Sequence, residues 1–487
     1  MILLPVLLPL AAGLLLLVRP LGGSRTARSA VVLTALLGTA ALAIRQAAAP
    51  AAPLLLWEIA PHMPLYFQVD GLSGLFSVLT ACIWLAAGVF ALRYMEHEGG
   101  ERRFFVIYLL VLAVLLALDY AGSLITFYIF YELVTLASFL LVVHSKTHEA
   151  VMAGLKYLFY SVAGAFLALL GIFFLFDACT DLTFTPGGVL HQAVLLPGER
   201  ERLLAALAAL MLGFSAKAGM FPLHGWLPAA HPVAPAPASA VLSGIITKAG
   251  VLGLIRVIFY IVGPDFLRGT WVQAVYLGLA LVTVLMGSMM AYLEPALKKR
   301  LAYSTVSQVS YVLFGVGLMH PLGLTGALCH VLFHAVAKCG LFLEAGAFIY
   351  QTGRTRVDGL RGVGKHMPVT LAGFALCALA LVGIPPASGF YSKWLLATGA
   401  LDAGVGVYGW LGPAVLLVSA LLTAGYLFPP VSRGFFPGEG YESGLACREA
   451  PAPMTGTVAV LALLSLVLGI FTPPLTAYLT ALVGGLF

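Results

Sequence analysis

The feature that most constrains this chain is a recurring one. Stretches of about twenty apolar residues, each enough to cross a bilayer as a helix, follow one another with short connections from end to end. They lie at about 2–18, 28–48, 70–93, 103–119, 122–143, 149–176, 203–229, 233–258, 270–292, 298–319, 322–350, 368–400, 408–430 and 454–482. Hydrocarbon offers backbone groups no water, so each run must satisfy its hydrogen bonds internally, and runs of this length do so as helices. The expected fold is therefore an all-α polytopic membrane protein with about 14 transmembrane helices. A chain that is 61% hydrophobic and 9% charged, with mean hydropathy +1.02, has no soluble alternative of ordinary composition. The opening run, MILLPVLLPLAAGLLLLV, lacks a basic n-region and a clear small-residue cleavage site, and reads as a retained first span.

A net charge of +6 could suggest nucleic acid, but the basic residues are placed otherwise. With the N-terminus outside, the inside connections hold Arg19, Arg25, Arg28, Arg93, Arg102, Arg103, Lys146, Lys298, Lys299, Arg300, Arg354, Arg356, Arg361, Lys365, Arg433 and Arg448. The outside ones hold Arg45, Arg200, Arg202 and Arg268. Sixteen against four is a positive-inside bias, and it predicts both termini outside with the 351–366 loop in the cytoplasm. The charge is topological, the lipid bilayer is the partner it implies, and no nucleic acid is expected. The six cysteines are scattered without a C-x-x-C pair, and no phosphate loop or haem motif occurs. No cofactor, metal or redox site is read in this chain.

Six basic residues remain inside spans: Lys156, Lys217, Lys248, Arg256, Lys338 and Lys393. Arg256, near the outer end of its span, is expected to snorkel to the interface. The deeper five are all lysine, whereas the loops use sixteen arginines against four lysines. Arginine keeps its proton in a protein, while burial makes a lysine able to load and release one. Each intramembrane charge is costly and commonly marks an ion path. Static pairing could explain one such residue, but five lysines, Glu132 and two in-line histidines favour a common purpose. Glu132, mid-span in FYIFYELVTLASF, needs a cationic partner, and Lys217 in FSAKAGMFPLHGWL is the candidate.

The segment HVLFHAVAK places His330, His334 and Lys338 at every fourth residue, on one helix face over about 12 Å. His330 and His334 have zinc-ligand spacing, but no carboxylate or cysteine lies within the motif and a cation follows on the same face, so a proton relay is favoured over metal. Pro222 follows Lys217, and Pro385 with Pro386 precedes Lys393, so both spans should kink or unwind beside a lysine, as broken transporter helices do around ion sites. The connection LPAAHPVAPAPASAVLSG is expected to be extended or re-entrant, with His224 and His231 at its flanks, either at the mouth of a proton inlet or as ordinary interfacial residues.

The segments GLSGLFSVL, FYELVTLASF, SAKAGMFPLHGWLPAAHPVAPAPASAVLSGIITKAGVLGLIR, KKRLAYSTVSQVSYVLFGVG, HVLFHAVAKCGLFLEAGA and GIPPASGFYSKWLL resemble the proton-pumping antiporter-like subunits of respiratory complex I, multisubunit monovalent-cation/proton antiporters and energy-converting membrane hydrogenases. The resemblance implies two inverted five-helix repeats with discontinuous helices 7 and 12. Its organisation would be residues 1–102 for three N-terminal helices with an outside loop, 103–258 for helices 4–8, 270–430 for helices 9–13 and 454–487 for helix 14. The repeat is not visible in the sequence, since Pro222 follows its lysine while Pro385 precedes its own.

By the same resemblance Glu132, Lys217, Lys248 and Lys393 stand at the family's proton-transfer positions, and His330, His334 and Lys338 form a polar line from centre to outlet. Lys156 and His224 are further candidates. Ser243 stands where some members carry histidine, and Glu344 matches no part of the pattern. Lysine at 393 argues against a complex I M-type subunit, and the end at Phe487 against the L-type lateral helix, which leaves a D-type or N-like subunit.

The implied function is a proton-translocating subunit, with or without cation coupling, in a prokaryotic-type cytoplasmic membrane. Its partners would be other membrane subunits and, in a redox complex, a peripheral redox arm carrying any redox centres. The alternatives are a stand-alone secondary transporter exchanging sodium or an anion for protons, and a static scaffold.

Overall fold

A computed structural model describes residues 1–18, 22–61, 63–179, 181–190, 195–196, 198–438, 441, 444 and 447–487; Arg19, counted among the inside charges, lies outside the described residues. Helix α1 (Leu4–Leu15) is followed by α2 (Arg25–Ala48), a hairpin of β1 (Leu54–Ala60) and β2 (Met63–Phe67), α3 (Gly71–Glu98), α4 (Glu101–Asp119), α5 (Leu124–Val142) and α6 (His148–Ala178). Next come α7 (Glu199–Ala218), α8 (Leu227–Val233) and α9 (Ala236–Val262), which contains π-helical turns at Leu242–Ile246 and Val257–Val262. The remainder is α10 (Trp271–Leu293), α11 (Leu297–Gly317), α12 (Pro321–Thr352), α13 (Pro368–Val382), α14 (Gly389–Asp402), α15 (Tyr408–Phe435), α16 (Ala452–Ile470) and α17 (Thr472–Gly484).

Among the described residues nine helices are long and apolar enough to span a membrane, so the chain is an integral membrane protein. Several starts are written locally. Asp70, Ser123 and Thr147 cap α3, α5 and α6 by accepting the backbone N–H of Ser73, Thr126 and Ala150, at 2.8, 3.2 and 3.2 Å. Helix α9 is buried along its whole length and α12 nearly so, whereas α15 and α16 leave most of their surface outward. The core of the molecule is therefore α9 against α12, the two helices that carry Lys248 and the His330–His334–Lys338 stripe.

Four expectations change. The chain is not all-α: β1 and β2 pair antiparallel, Leu54 opposite Phe67 and Leu55 opposite Tyr66, where the sequence reading saw only a loop. The opening run of three leucines reads equally well as helix, although Trp57, Ile59, Tyr66 and Phe67 are residues that suit strands. The first span narrows to the 12 residues of α1. The last is two helices, because Pro473 and Pro474 supply no N–H to continue α16 and start α17 instead. The proline-rich connection is mostly helical: Pro228 takes the opening turn of α8, Pro232 lies within it, and Pro237 takes the opening turn of α9 after Pro235. Proline in a first turn forfeits only an N–H that would have no intrahelical partner, so three of these four prolines are compatible with helix starts rather than with a loop.

Candidate functional site

The two breaks share one frame. Helix α7 ends at Gly219 and α13 at Gly383, both at φ +87°, the left-handed conformation that favours glycine. Three residues on stand Pro222 and Pro386, and three further Gly225 and Gly389, so both breaks read G-x-x-P-x-x-G. A Cβ on Gly389 would lie 1.8 Å from the Ala380 carbonyl oxygen, which shows how closely the half-helices α13 and α14 approach. Comparing proline with lysine hid this match; comparing glycines would have found it.

Lys217, in the last turn of α7, is fully buried and donates to the Tyr131 carbonyl oxygen of α5 at 2.5 Å, with its Nζ 3.4 Å from the centre of the Tyr131 ring. Glu132 is the next residue on α5 and is half-buried, with Oε1 unpartnered. Among the described residues no ion pair joins Glu132 to Lys217; the lysine bonds the Tyr131 carbonyl instead, one residue before Glu132.

Lys248 lies at the centre of the core. Its Nζ donates to the Ser243 carbonyl oxygen at 2.6 Å and stands 2.7 Å from His334 Nδ1. The first π-helical turn of α9 covers Ser243, and such turns recur at functional sites because they re-aim backbone groups. Ser243, given no proton role from the sequence, is thus the carbonyl anchor of Lys248, while its hydroxyl sits 2.7 Å from Thr305 Oγ1. One helical turn from His334, with ring centroids 6.0 Å apart, His330 stacks on Tyr311 and places Nδ1 3.0 Å from Ser392 Oγ. Ser392 precedes Lys393, whose Nζ donates to the Leu381 and Val382 carbonyl oxygens at 2.5 and 2.9 Å and lies 5.2 Å from the Tyr311 ring centre. Those carbonyls end α13 and lack intrahelical donors, so the cation of α14 caps its own partner half-helix. Two hydrogen-bonded pairs, Lys248–His334 and His330–Ser392, are thus set one helical turn apart along α12, and the half-buried Lys393 follows Ser392 on α14. Ser392 and Tyr311 were not singled out from the sequence, although Ser392 adjoins a chosen lysine.

The other candidates stand apart. Lys338 is buried and donates to the Leu301 carbonyl oxygen of α11 at 3.0 Å, beside these pairs rather than in either. Lys156 is exposed on α6, on the side that also presents Met152 and Phe159, with its stem beside Gly225. His224 is half-buried in the first break and stacks on Phe221 at 5.9 Å. His231, expected at a loop flank, is fully buried and stacks on Phe342 at 4.6 Å. Arg256 does not snorkel: it is 2% exposed, pairs with Asp70 through both terminal nitrogens, donates to Ser73 Oγ at 2.8 Å and packs on the Phe184 and Tyr260 rings. An N-cap carboxylate met by a span-end arginine removes the need to reach for water. Lys298, counted as a loop charge, is likewise buried and binds the Pro232 carbonyl oxygen at 3.2 Å.

Residues 121–423 match the family described as NADH:quinone oxidoreductase/Mrp antiporter, TM, and residues 59–105 match NADH-Ubiquinone oxidoreductase (complex I), chain 5 N-terminus. The chain belongs to this antiporter-like family. Among relatives, NADH-quinone oxidoreductase subunit N of Desulforudis audaxviator is 34% identical over 84% of this chain and 83% of its own length. Hydrogenase-4 component B of Escherichia coli is 33% identical over 68% of this chain and 50% of its own length. Among solved structures, a chain of the Mrp complex from Dietzia sp. superposes with TM-score 0.83 at 25% identity, covering 100% of this chain and 97% of its own. A chain of respiratory complex I from Thermus thermophilus gives the same score and identity over 100% of both chains. This antiporter-like fold therefore spans the whole of the present chain, breaks included.

Proposed function

We propose that this chain is a proton-translocating subunit of a multisubunit energy-converting membrane complex. The observation that carries the reading is the series Lys248–His334–His330–Ser392–Lys393, which starts on the two most enclosed helices and ends at a helix break. Isolated ionisable groups in a bilayer are costly, and a series of them spaced one helical turn apart, with Lys248 bonded to His334 and His330 to Ser392, offers successive proton acceptors within the membrane. Lys217, held beside Glu132, stands at the other break as the charge that sets the line in motion. Moving or neutralising one buried charge changes its neighbour's proton affinity, at about 1.4 kcal/mol per tenfold change. A shift in the Glu132–Lys217 pair alters Lys248, which passes its proton through His334 and His330 to Lys393.

The shared G-x-x-P-x-x-G frame supports two inverted five-helix repeats, helices 4–8 and 9–13, within fourteen spans. The positive-inside count supports both termini outside and the 351–366 connection in the cytoplasm, in a prokaryotic-type cytoplasmic membrane. Partners are other membrane subunits, and redox centres, where the complex has them, sit on those partners. In the assembled complex Lys217→Ala and Lys393→Ala should each abolish coupled proton translocation with subunit content unchanged. Normal flux in both would falsify the assignment, and vigorous exchange by the chain reconstituted alone would replace it with a stand-alone transporter.

A further inference from the structure

Glu344 belongs to none of this. It lies ten residues beyond His334 on α12, about 80° round the helix from it, and its carboxyl meets α13 rather than Lys248. The side chain is fully buried; Oε1 accepts from Cys377 Sγ of α13 at 3.8 Å, and Oε2 has no partner. Cys377 Sγ in turn lies 3.9 Å from Ser465 Oγ of α16. Room for the carboxyl is made by two glycines: a Cβ on Gly373 would lie 2.7 Å from Oε1, and one on Gly340 would lie 2.6 Å from Cys377 Sγ. Neither α13 nor α16 contains an Asp, Glu, Lys, Arg or His. The titratable groups acting around Glu344 are Cys377 on α13 and Cys339 on its own helix, and among the described residues no cation pairs with it.

A carboxylate so enclosed would be an uncompensated charge in hydrocarbon, whereas the neutral acid requires only hydrogen-bond partners. Thiols and one hydroxyl are poor ligands for a hard cation such as sodium, which favours oxygen. The pocket also leads somewhere. The Ser465 carbonyl oxygen accepts from the backbone N–H of Ser388, within the α13–α14 break, at 3.3 Å, and the Ser388 hydroxyl is buried without a partner. A Cβ on Gly469, one turn along α16, would lie 2.1 Å from the Pro386 carbonyl oxygen. Cys377 precedes by one turn Leu381, whose carbonyl holds Lys393. On the opposite, membrane-facing side, Gly373 and Ala462 form the wall of a groove of about 340 Å³ between α13 and α16.

We propose that Glu344 is a proton-binding site separate from the lysine–histidine line, occupied as the neutral acid, whose charge state acts through Cys377, Ser465 and Ser388 on the break that holds Lys393. The link to the break rests on the proposed function; the site itself does not.

The probe is a hydrophobic carbodiimide applied to the assembled complex in its native membrane. The acid adds across one C=N bond, its proton going to nitrogen and its oxygen to carbon, and the acyl group then moves to nitrogen with nothing lost. Peptide mass spectrometry should find the adduct on Glu344, and the infrared band of a protonated carboxyl should disappear in Glu344→Gln. Gly373→Val, which crowds the carboxyl, should lower labelling several-fold. Proton translocation should fall several-fold in Glu344→Gln and largely return in Glu344→Asp.

An unlabelled Glu344 without a Gln-sensitive band overturns the site, and protection by sodium replaces the proton with a cation. Unchanged translocation in Glu344→Gln overturns the link to the break. Should Glu344→Gln fail to assemble, wild-type labelling and the Gly373→Val response still decide. Normal flux in the lysine variants would overturn the function while leaving the labelling result standing.

Discussion

The two broken helices are built on the same G-x-x-P-x-x-G frame, yet they hold their lysines differently. Lys217 comes before its break and reaches out of its own helix pair, to the Tyr131 carbonyl of α5 next to Glu132. Lys393 comes after its break and turns inward, capping the carbonyl end of α13, the other half of its own span. The first lysine is therefore exposed to events on a neighbouring helix with a half-buried carboxylate. The second is tied to the geometry of its own break, and its chain neighbour Ser392 bonds His330. One frame thus supplies a lysine bonded to a neighbouring helix beside a carboxylate and a lysine bonded to the carbonyls of its own break.

The sharpest way to break this comparison is to exchange the cations. Lys217→Arg keeps a charge beside Glu132 but cannot release a proton, so proton translocation should be lost almost as completely as in Lys217→Ala. Vesicle acidification measured on the assembled complex reads this directly, and a Lys217→Arg variant with normal flux would make the first lysine a fixed charge rather than a proton carrier. Next in size is a control outside both breaks. Arg256→Ala leaves Asp70 without its cation in a largely desolvated site and should destabilise the chain by about 3–5 kcal/mol, visible as a lower thermal unfolding midpoint in detergent.

The glycines test whether the frames are equally tight. Alanine at Gly219 or Gly383 must adopt φ +87°, costing about 1–2 kcal/mol in either case. A Cβ at Gly219 would also lie 2.2 Å from Leu227 Cδ1, whereas the nearest atom at Gly383 is Lys393 Cδ at 3.1 Å. Gly219→Ala should therefore lower the unfolding midpoint more, and Gly383→Ala should act mainly on translocation by displacing Lys393. Equal effects on both readouts would remove the distinction. The smallest effect is expected from Ser392→Ala, which removes the hydroxyl bonded to His330 beside Lys393; vesicle acidification should slow several-fold with subunit content unchanged, and an unchanged rate would take Ser392 out of the path.

What could be read in the chain follows from its solvent. Apolar runs and the choice of lysine over arginine inside them are consequences of hydrocarbon acting on single residues, so the membrane character and the placement of Glu132, Lys217, Lys248, His330, His334 and Lys393 within apolar helices were legible. Helical spacing alone put His330 and His334 on one face. Partners across helices were not legible, because they depend on which spans pack together. Arg256 illustrates the limit: its depth suggested an interface, but Asp70, 186 positions away in sequence, determines its environment. The prolines from Pro228 to Pro237 illustrate another, since whether a proline opens a helix or interrupts one depends on a cap position set by the turn before it.

By itself the sequence determined that this chain lives in a membrane and that lysines, histidines and carboxylates lie within its apolar helices, because burial penalises each residue according to its own chemistry. Only the tertiary structure decided that Lys248 meets His334, that His330 meets Ser392 beside Lys393, and that Glu344 faces two helices without a charge of their own, because hydrogen bonds between distant segments exist only once α9, α12 and the halves of the second broken helix are packed.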